Sequence, residues 1–512
     1  MTRRAISAAA ALALGGAGLW AGFAPSLAHA QAAADTAPGD ERGPESAELA
    51  RRIEAVLAKE RDHIGDARVG IAVIDLGGDR VLYEREADGR FAVASNAKIV
   101  TAAAALAELG PDFRFRTAVY ADSVDDQGRV TGDLTIRSTG DPSLGTAELR
   151  ALISEIELAG ITGVEGHIVV DDSYFDDEHT PPRFDEYEEP ADEHASYRAP
   201  IGASSLNFNM IAIAVTPSPS GAGAASVTVD PPTDYAEVRD SVVTVERGST
   251  RIRVDTEVVG ETLRFVVTGQ IRASERMRRV RRRVSHPASY LGGTVRALLA
   301  ERGISVEGRE VRRGQVPRGA VMLAQRQSPP LSVLVRGLGK YSNNYVAEML
   351  LKSLGAEALG GQRPATWDDG LAVAHRFLEE RVGLAPGGYR FENGSGLFDA
   401  NEFSPRDIAS VLTAARRDYR YGPELAASLA VAGADGTMRH RLRRDPAAGL
   451  VRAKTGTLMN VSALSGYAAI DGRAPLAFAI LMDDVPRRGR AEARALQDEL
   501  ASALIAYLQS GP

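Results

Sequence analysis

The sequence predicts a mixed α/β (α+β) fold: an antiparallel sheet flanked by helices, interrupted by a large, mainly β insertion in two parts. Alternating apolar runs joined by turn signals occur near both ends, as RVGIAVIDLGGDRVLYERE from residue 68 and NVSALSGYAAIDGRAPLAFAILMDD from residue 460. Helical patterns border these hairpins, at about residues 48–62 and 491–508. Between about residues 117 and 325, short strand-like runs are broken by Gly, Pro, Asp and Ser. We therefore expect the two ends of the chain to form one sheet.

These changes in composition also predict where the chain divides. We expect a signal peptide, a disordered leader, an outer domain made from two separated segments, an inserted domain II in two segments, and a β-rich domain III inside it. The ranges are 1–30 for the signal, 31–47 for the leader, 48–116 and 326–512 for the outer domain, 117–206 and 284–325 for domain II, and 207–283 for domain III.

The first thirty residues have the features of a secretory signal. Arg3 and Arg4 precede an apolar run that contains no acid and ends in SLAHA, an A-x-A cleavage signal after Ala30. A membrane anchor is the less favoured alternative, because the run is rich in Ala and Gly and is followed by Pro25. No later apolar stretch is long enough to span a bilayer. We expect a periplasmic or extracellular protein without an integral membrane segment.

Composition excludes several classes of function. The chain has no cysteine, which removes disulfides and thiol nucleophiles. Its formal net charge of −8 gives no reason to expect a nucleic-acid partner. Seven arginines between Arg272 and Arg283 could contact an anionic polymer, but we favour a solvated edge strand whose valines face inward.

One short motif first indicates chemistry. Lysine is scarce, 5 of 60 basic residues, yet Lys98 follows Ser95 by three positions at the start of an apolar helix. Residues i and i+3 share one helix face, so the amine can reach the hydroxyl. A serine nucleophile needs a neighbouring base, and lysine can act as one when burial makes it partly neutral, whereas arginine stays charged.

Two further motifs follow in the chain. Ser342-Asn343-Asn344 lies before a predicted helix and offers a second hydroxyl and an amide. Lys454-Thr455-Gly456-Thr457 lies on a predicted strand and offers a cation, two hydroxyls and backbone N–H groups, with Gly456 allowing close approach. S-x-x-K, S-x-N and K-T-G in this order are typical of active-site serine enzymes that recognise penicillin.

The spacing of the motifs narrows the choice among the families of penicillin-recognising enzymes. Ser95 and Ser342 are 247 residues apart, whereas Asn344 and Lys454 are 110 apart, so the first interval holds the insertion. With the strings GDPSL, DDSYFD, ENGSGL and AGADGTM, the chain resembles the penicillin-binding protein 4 type of D-alanyl-D-alanine carboxypeptidase and endopeptidase. The resemblance implies that the outer domain is a penicillin-binding catalytic domain with a serine β-lactamase/transpeptidase-like fold.

The resemblance also implies roles for the residues of the three motifs. Ser95 would be the acylated nucleophile and Lys98 its base, Ser342 would relay a proton to the leaving group, and Asn344 would bond the substrate amide. Lys454 would polarise the site. The substrate-binding residues would be Thr455, Gly456 and Thr457, with the two threonines holding a terminal carboxylate. The oxyanion hole would be formed by the backbone N–H groups of Ser95 and Thr457.

The implied partners are peptidoglycan peptides ending in D-Ala-D-Ala or in D-Ala cross-links, and β-lactam inhibitors. No cofactor or metal is expected. Two positions depart from the family pattern: Val93 stands where proline is usual, and Asn343 replaces the commoner aspartate. Neither departure removes a functional group from the roles above.

Other functions stay open at this point. A metalloenzyme lacks support, because no H-E-x-x-H or cysteine is present. A Ser-His-Asp hydrolase would usually carry a G-x-S-x-G elbow, which is missing. A catalytically weak cell-wall-binding homologue, or a β-lactamase or esterase on the same scaffold, are the remaining alternatives.

Overall fold

The computed structural model describes residues 44–184 and 196–510. The predicted signal peptide and most of the predicted leader lie outside the described residues. None of the helices in the described ranges combines the length and apolar character needed to cross a bilayer. The helices are α1 (Pro44–Ile64), α2 (Ala97–Leu109), α3 (Thr146–Leu158), α4 (Pro287–Glu301), α5 (Leu331–Tyr341), α6 (Asn344–Leu359), α7 (Trp367–Arg376), α8 (Pro405–Arg417), α9 (Gly422–Ser428) and α10 (Arg490–Ser510).

The strands alternate with these helices along the chain. They are β1 (Arg68–Asp75), β2 (Arg80–Arg85), β3 (Phe91–Ala92), β4 (Arg116–Ala121), β5 (Arg129–Val130), β6 (Leu134–Ser138), β7 (Gly163–Val164), β8 (Ile168–Asp171), β9 (Met210–Thr216), β10 (Gly223–Ala224), β11 (Ser226–Asp230), β12 (Ala236–Val245), β13 (Arg251–Val259), β14 (Thr262–Arg272), β15 (Arg278–Arg283), β16 (Ser305–Val306), β17 (Val311–Arg313), β18 (Val321–Gln327), β19 (Glu402–Phe403), β20 (Ala430–Val431), β21 (Val451–Thr457), β22 (Ser462–Ala468) and β23 (Leu476–Asp483).

The two ends of the chain form one antiparallel sheet, as predicted. Its six strands have the order β2-β1-β23-β22-β21-β20. The junction between the N-terminal and C-terminal segments is the β1–β23 pair, in which Ile71 lies opposite Ile480. Closing the sheet therefore requires contacts between residues about 400 positions apart. Strand β21 belongs to the same sheet and is separated from β1 by β23 and β22.

Helices cover both faces of this sheet. Along β23, the side chains of Phe478, Ile480 and Met482 pack with α1 and α10, whereas Ala477, Ala479 and Leu481 pack on the side of α2 and α8. Successive side chains point to opposite faces of a strand, so a strand buried on both faces reads as a continuous apolar run. This explains why the hairpin sequence LAFAILMD lacks a polar alternate position.

Helix α2 lies in the centre of the outer domain. Ten of its residues are buried, including a run of four alanines from Ala102 to Ala105. Alanine leaves room for close approach of neighbouring backbones, and α5, α6, α8 and α9 all contact α2. A helix that is buried all round holds its first turn, which carries the S-x-x-K motif, in a fixed position.

The inserted segment is mainly β and also contains α3 and α4. Its sheets have the orders β17-β8-β6-β4-β18, β16-β7-β5, β10-β12-β14-β13 and β11-β9-β15. Strands β12 and β14 pair in parallel, with Ala236 opposite Leu263. Apolar residues from both predicted inserted domains pack in one cluster. The predicted domain boundaries stay predictions.

Two local findings bear on the sequence analysis. Strand β15, which carries the arginine cluster, lies at the edge of its sheet, with Val280 less exposed than its neighbours Arg279 and Arg281.

Helix α1 begins at Pro44, four residues before the predicted start and within the predicted leader. Proline is tolerated in the first helical turn because the N–H it lacks has no intrahelical partner there.

An ion pair between a fully buried lysine and a partly exposed aspartate connects α6 with the inserted segment. The side chain of Lys352 is 0% exposed, and its Nζ lies 2.5 Å from Asp176 Oδ1. The ammonium also donates to the Glu178 carbonyl at 2.7 Å and lies over the rings of Phe175 and Trp367. Burial lowers the pKa of Lys352, and the Asp176 carboxylate opposes this effect. The pair therefore depends on both partners.

We predict that Asp176→Ala lowers the free energy of unfolding by about 3 kcal/mol, because it leaves a buried ammonium without its counterion. Adding Lys352→Met should recover most of that loss, since methionine fills a similar volume without charge. Urea unfolding followed by circular dichroism measures both variants. A double variant as unstable as Asp176→Ala alone would contradict the electrostatic explanation.

Candidate active site

Ser95 lies in a 3-10 turn, Ala94–Asn96, that leads directly into α2. Ala94 adopts a left-handed conformation with φ of 46°. A Cβ atom on Gly396 would lie 1.9 Å from the Ala94 carbonyl oxygen, so only glycine fits against this turn. The position of Ser95 is thus set by backbone packing, and strained residues of this kind are common at active sites.

Lys98 lies one turn further along and is 1% exposed. Its Nζ is 2.9 Å from Ser95 Oγ, 2.8 Å from Asn344 Oδ1 and 2.6 Å from the Ser395 carbonyl oxygen. Burial lowers the pKa of Lys98 to about 7, although the nearby Glu348 carboxylate acts to raise it. The amine is therefore neutral in a substantial fraction of molecules near neutral pH.

The three contacts of Lys98 fit a neutral amine as well as an ammonium. An ammonium donates three hydrogen bonds, whereas a neutral amine has two N–H groups and one lone pair. Asn344 Oδ1 and the Ser395 carbonyl can only accept, so they retain the two N–H groups. The lone pair then faces Ser95 Oγ, the one partner that can donate a proton.

Ser342 and Asn344 lie on the link between α5 and α6. Ser342 ends α5 in a left-handed conformation, with φ of 58° and ψ of 41°. Asn343 caps α6, its side chain accepting a hydrogen bond from the Val346 N–H at 3.2 Å. Asparagine and aspartate are equally good N-caps, so asparagine can hold this link as the commoner aspartate would.

Lys454 lies on β21 and is also 1% exposed. Its Nζ donates to Ser342 Oγ at 2.8 Å and to the Thr455 carbonyl at 2.8 Å. Burial, and secondarily the charge of Lys98, hold the pKa of Lys454 well below its ordinary value. The two lysines are therefore close enough to disfavour simultaneous protonation.

The edge of β21 faces the turn that carries Ser95. Strand β20 spans two residues and pairs with Arg452 and Ala453. Further along β21, a Cβ atom on Gly456 would lie 2.8 Å from the Val93 carbonyl oxygen and 2.9 Å from Asn96 Nδ2. Any side chain at Gly456 would push the strand away from the serine turn. Thr457 follows at the end of the strand, with an exposed side chain.

Val93 accounts for the other departure from the family pattern. Its backbone N–H donates to the Asn401 carbonyl at 3.2 Å. Proline has no N–H and could not make this bond. In this chain, the segment before Ser95 is thus held by a hydrogen bond rather than by a proline ring.

The structure brings all the predicted site residues together where α2, the α5–α6 link and β21 meet. It adds two groups that the motifs do not contain. Glu348 Oε2 and Oε1 accept from the N–H groups of Gly394 and Ser395 at 2.9 and 2.8 Å, and burial raises the pKa of Glu348. These bonds aim the Ser395 carbonyl at Lys98. The string ENGSGL contains Ser395 and was part of the family resemblance. It does not reveal that the backbone carbonyl of Ser395, rather than its side chain, accepts a hydrogen bond from Lys98.

Several known proteins are similar to this chain in sequence or in fold. The chain is 34% identical over 488 residues to a D-alanyl-D-alanine carboxypeptidase of Actinomadura sp. strain R39, covering 93% of this chain and 87% of the relative. It is 25% identical over 405 residues to the D-alanyl-D-alanine carboxypeptidase DacB of Haemophilus influenzae, covering 78% and 82%. The crystal structure of penicillin binding protein 4 from Haemophilus influenzae matches with a TM-score of 0.73 at 23% identity, over 89% of this chain and 99% of that one.

The structural match confirms the predicted fold, and the relatives confirm the predicted class of enzyme, a serine D-Ala-D-Ala carboxypeptidase. The family model described as the D-Ala-D-Ala carboxypeptidase 3 (S13) family matches residues 49–506. Because this match extends over nearly the whole chain, the protein belongs to the D-Ala-D-Ala carboxypeptidase 3 (S13) family.

Proposed function

We propose that the protein is an exported enzyme that cleaves the terminal D-Ala-D-Ala bond of peptidoglycan stem peptides, and D-Ala cross-links, through an acyl-enzyme on Ser95. The observation that carries the proposal is the 2.9 Å contact between Ser95 Oγ and the buried amine of Lys98. A nucleophile and a base within hydrogen-bond reach are what acyl transfer requires.

In the first step, Ser95 Oγ attacks the carbonyl carbon of the penultimate D-alanine, and its proton passes to the neutral Nζ of Lys98. Negative charge develops on the carbonyl oxygen, which accepts from the backbone N–H groups of Ser95 and Thr457. Asn344 holds the substrate amide. Because Asn344 is already bonded to Lys98, the substrate and the base are positioned by the same side chain.

In the second step, the C–N bond breaks and the leaving amine takes up the proton that Lys98 accepted, relayed through the Ser342 hydroxyl, so that Lys98 is neutral again. Lys454, which donates to Ser342 Oγ, keeps that hydroxyl oriented and polarises it. The hydroxyls of Thr455 and Thr457 bind this carboxylate. D-alanine, or a cross-linked peptide ending in D-alanine, then departs.

Water completes the cycle by attacking the ester carbon on Ser95, which releases the shortened peptide and restores the serine proton. A β-lactam acylates the same serine, but its leaving group stays tethered and blocks the approach of water. Binding of β-lactams is supported by a crystal structure of the Haemophilus influenzae protein complexed with a β-lactam, which matches this chain with a TM-score of 0.67.

Export and a place in the cell envelope are part of the proposal. They are supported by the signal-like first thirty residues. A wall-binding homologue without catalysis is less well supported, because Lys98, Ser342 and Lys454 are all present and make the contacts that acyl transfer needs.

We predict that a fluorescent penicillin labels one residue, Ser95, and that Ser95→Ala abolishes labelling. Mass spectrometry of the labelled peptide identifies the residue. Ser342→Ala serves as the matched control, since it removes a hydroxyl from the same site while leaving the nucleophile, and it should label at Ser95 more slowly. Labelling that persists in Ser95→Ala would overturn the assignment.

We predict that Lys98→Arg reduces the acylation rate by several orders of magnitude, because a guanidinium does not accept the serine proton. Lys59→Arg, an exposed lysine on α1, is the control and should leave the rate unchanged. Stopped-flow measurement of penicillin acylation gives both rates. A Lys98→Arg rate within about tenfold of wild type would exclude Lys98 as the base.

We predict that the wild-type acylation rate rises with pH and levels off above a pH of about 7, the pKa to which burial lowers Lys98. The sign follows from the mechanism, since the neutral amine is the active form and its fraction increases as pH passes the pKa. Acylation rates from pH 5.5 to 9, at constant ionic strength, provide the profile. A rate that falls over this range would contradict a lysine base.

We predict that the penicilloyl-enzyme lasts for minutes or longer, whereas a pentapeptide mimic is turned over. Glu348, the buried carboxylate nearest the site, is held by two N–H groups and is not free to activate a water. Intact-protein mass spectrometry after removal of free benzylpenicillin follows the adduct. Rapid catalytic hydrolysis of benzylpenicillin would contradict this prediction and show that the protein acts as a β-lactamase.

A further inference from the structure

Lys340, two residues before Ser342, is turned inward and is 7% exposed. Its Nζ donates to the Leu429 carbonyl at 2.6 Å and lies 2.7 and 2.9 Å from the two carboxylate oxygens of Asp435. Lys340 therefore joins the end of α5, which carries Ser342, to the loop that contains Asp435. A lysine bound by a carboxylate on both oxygens is a directional contact, not a diffuse surface charge.

The loop from Val431 to Met438 is fitted closely against the end of α5. Asp435 Oδ1 also accepts from the Val431 N–H at 2.8 Å, which closes the loop on itself. Gly436 has φ of +53°, and a Cβ atom there would lie 2.5 Å from the Lys340 carbonyl oxygen. The backbones of Gly436 and Lys340 are in direct contact, so the position of α5 determines the position of Thr437, the residue after Gly436.

Thr437 has an exposed side chain whose Oγ1 lies 2.9 Å from Thr455 Oγ1. In residues 44–184 and 196–510, no further hydrogen-bond partner of the Thr437 hydroxyl is found. Two hydroxyls joined by one hydrogen bond use one of their two protons and keep the other. The pair can therefore donate one hydrogen bond to an anion, and the bond between them strengthens that donor.

We propose that Thr437 is a further substrate-binding residue, which forms with Thr455 a hydroxyl pair that donates to the terminal carboxylate, and that Lys340 and Asp435 are the positioning residues that hold it there. This inference deepens the proposed function and rests on it. The string AGADGTM, in which Asp435 and Thr437 occur, contributes to the family resemblance, but the resemblance implies no role for either residue. The proposal assigns one to each.

The test compares Thr437→Val, which is nearly isosteric and lacks the hydroxyl, with Thr437→Ser, which retains it. Two substrates separate binding of the carboxylate from general damage: a diacyl-lysyl-D-Ala-D-Ala tripeptide, and N-acetyl-D-alanine p-nitrophenyl ester, which has no terminal carboxylate. Thr437→Val should lower kcat/KM on the tripeptide by about 10- to 100-fold, the effect of one hydrogen bond to a charged group. The ester should change by less than about twofold, and Thr437→Ser should keep both activities.

Asp435→Asn tests the proposed positioning role of Asp435, since it keeps the size of the side chain and weakens its ion pair with Lys340. It should reproduce the selective loss on the tripeptide. Equal losses on both substrates, or no loss on the tripeptide, would overturn the role of the residue that was changed. A wild-type protein that neither releases D-alanine nor is labelled by penicillin would refute the proposed function and this inference with it. An active wild type with an insensitive Thr437→Val refutes the inference alone.

Discussion

The burial of two lysine amines beside each other is the constraint on which the site depends. Lys98 and Lys454 are each 1% exposed, and moving an ammonium out of water is costly unless the group is neutral or well paired. Lys98 meets both conditions, with three oxygen partners and a lowered pKa. These partners come from three separate segments: the turn before α2, the start of α6 and the loop that carries Ser395.

Backbone geometry holds the reactive groups more than side-chain packing does. Ala94 and Ser342, next to the nucleophile and at the second hydroxyl, both have left-handed conformations that cost free energy for residues with a Cβ. Gly396 and Gly456 lie against the turn that carries Ser95 at distances that exclude any side chain. Strain at these points is offset by the surrounding packed helices, and a loose scaffold would relax it.

The sequence was sufficient for the three motifs, the sheet formed from both chain ends and the mainly β insertion, because periodicity and short polar motifs express these features directly. It was insufficient to predict that the Ser395 carbonyl accepts a hydrogen bond from Lys98, or that β12 pairs in parallel with β14. A backbone oxygen has no sequence signal, and strand pairing depends on contacts between distant residues. Glu348 was visible as a helix residue next to the motif, but its two N–H partners lie on a loop about 46 positions away.

The small number of lysines has a practical consequence for handling the protein. Lys98, Lys340, Lys352 and Lys454 are buried in the positions described above, whereas the Lys59 side chain on α1 is 62% exposed. Apart from the terminal amine, a reagent that modifies primary amines therefore meets a single accessible side chain. Helix α1 packs on the face of the sheet opposite α2, so coupling at Lys59 would attach a surface or dye on the side away from Ser95.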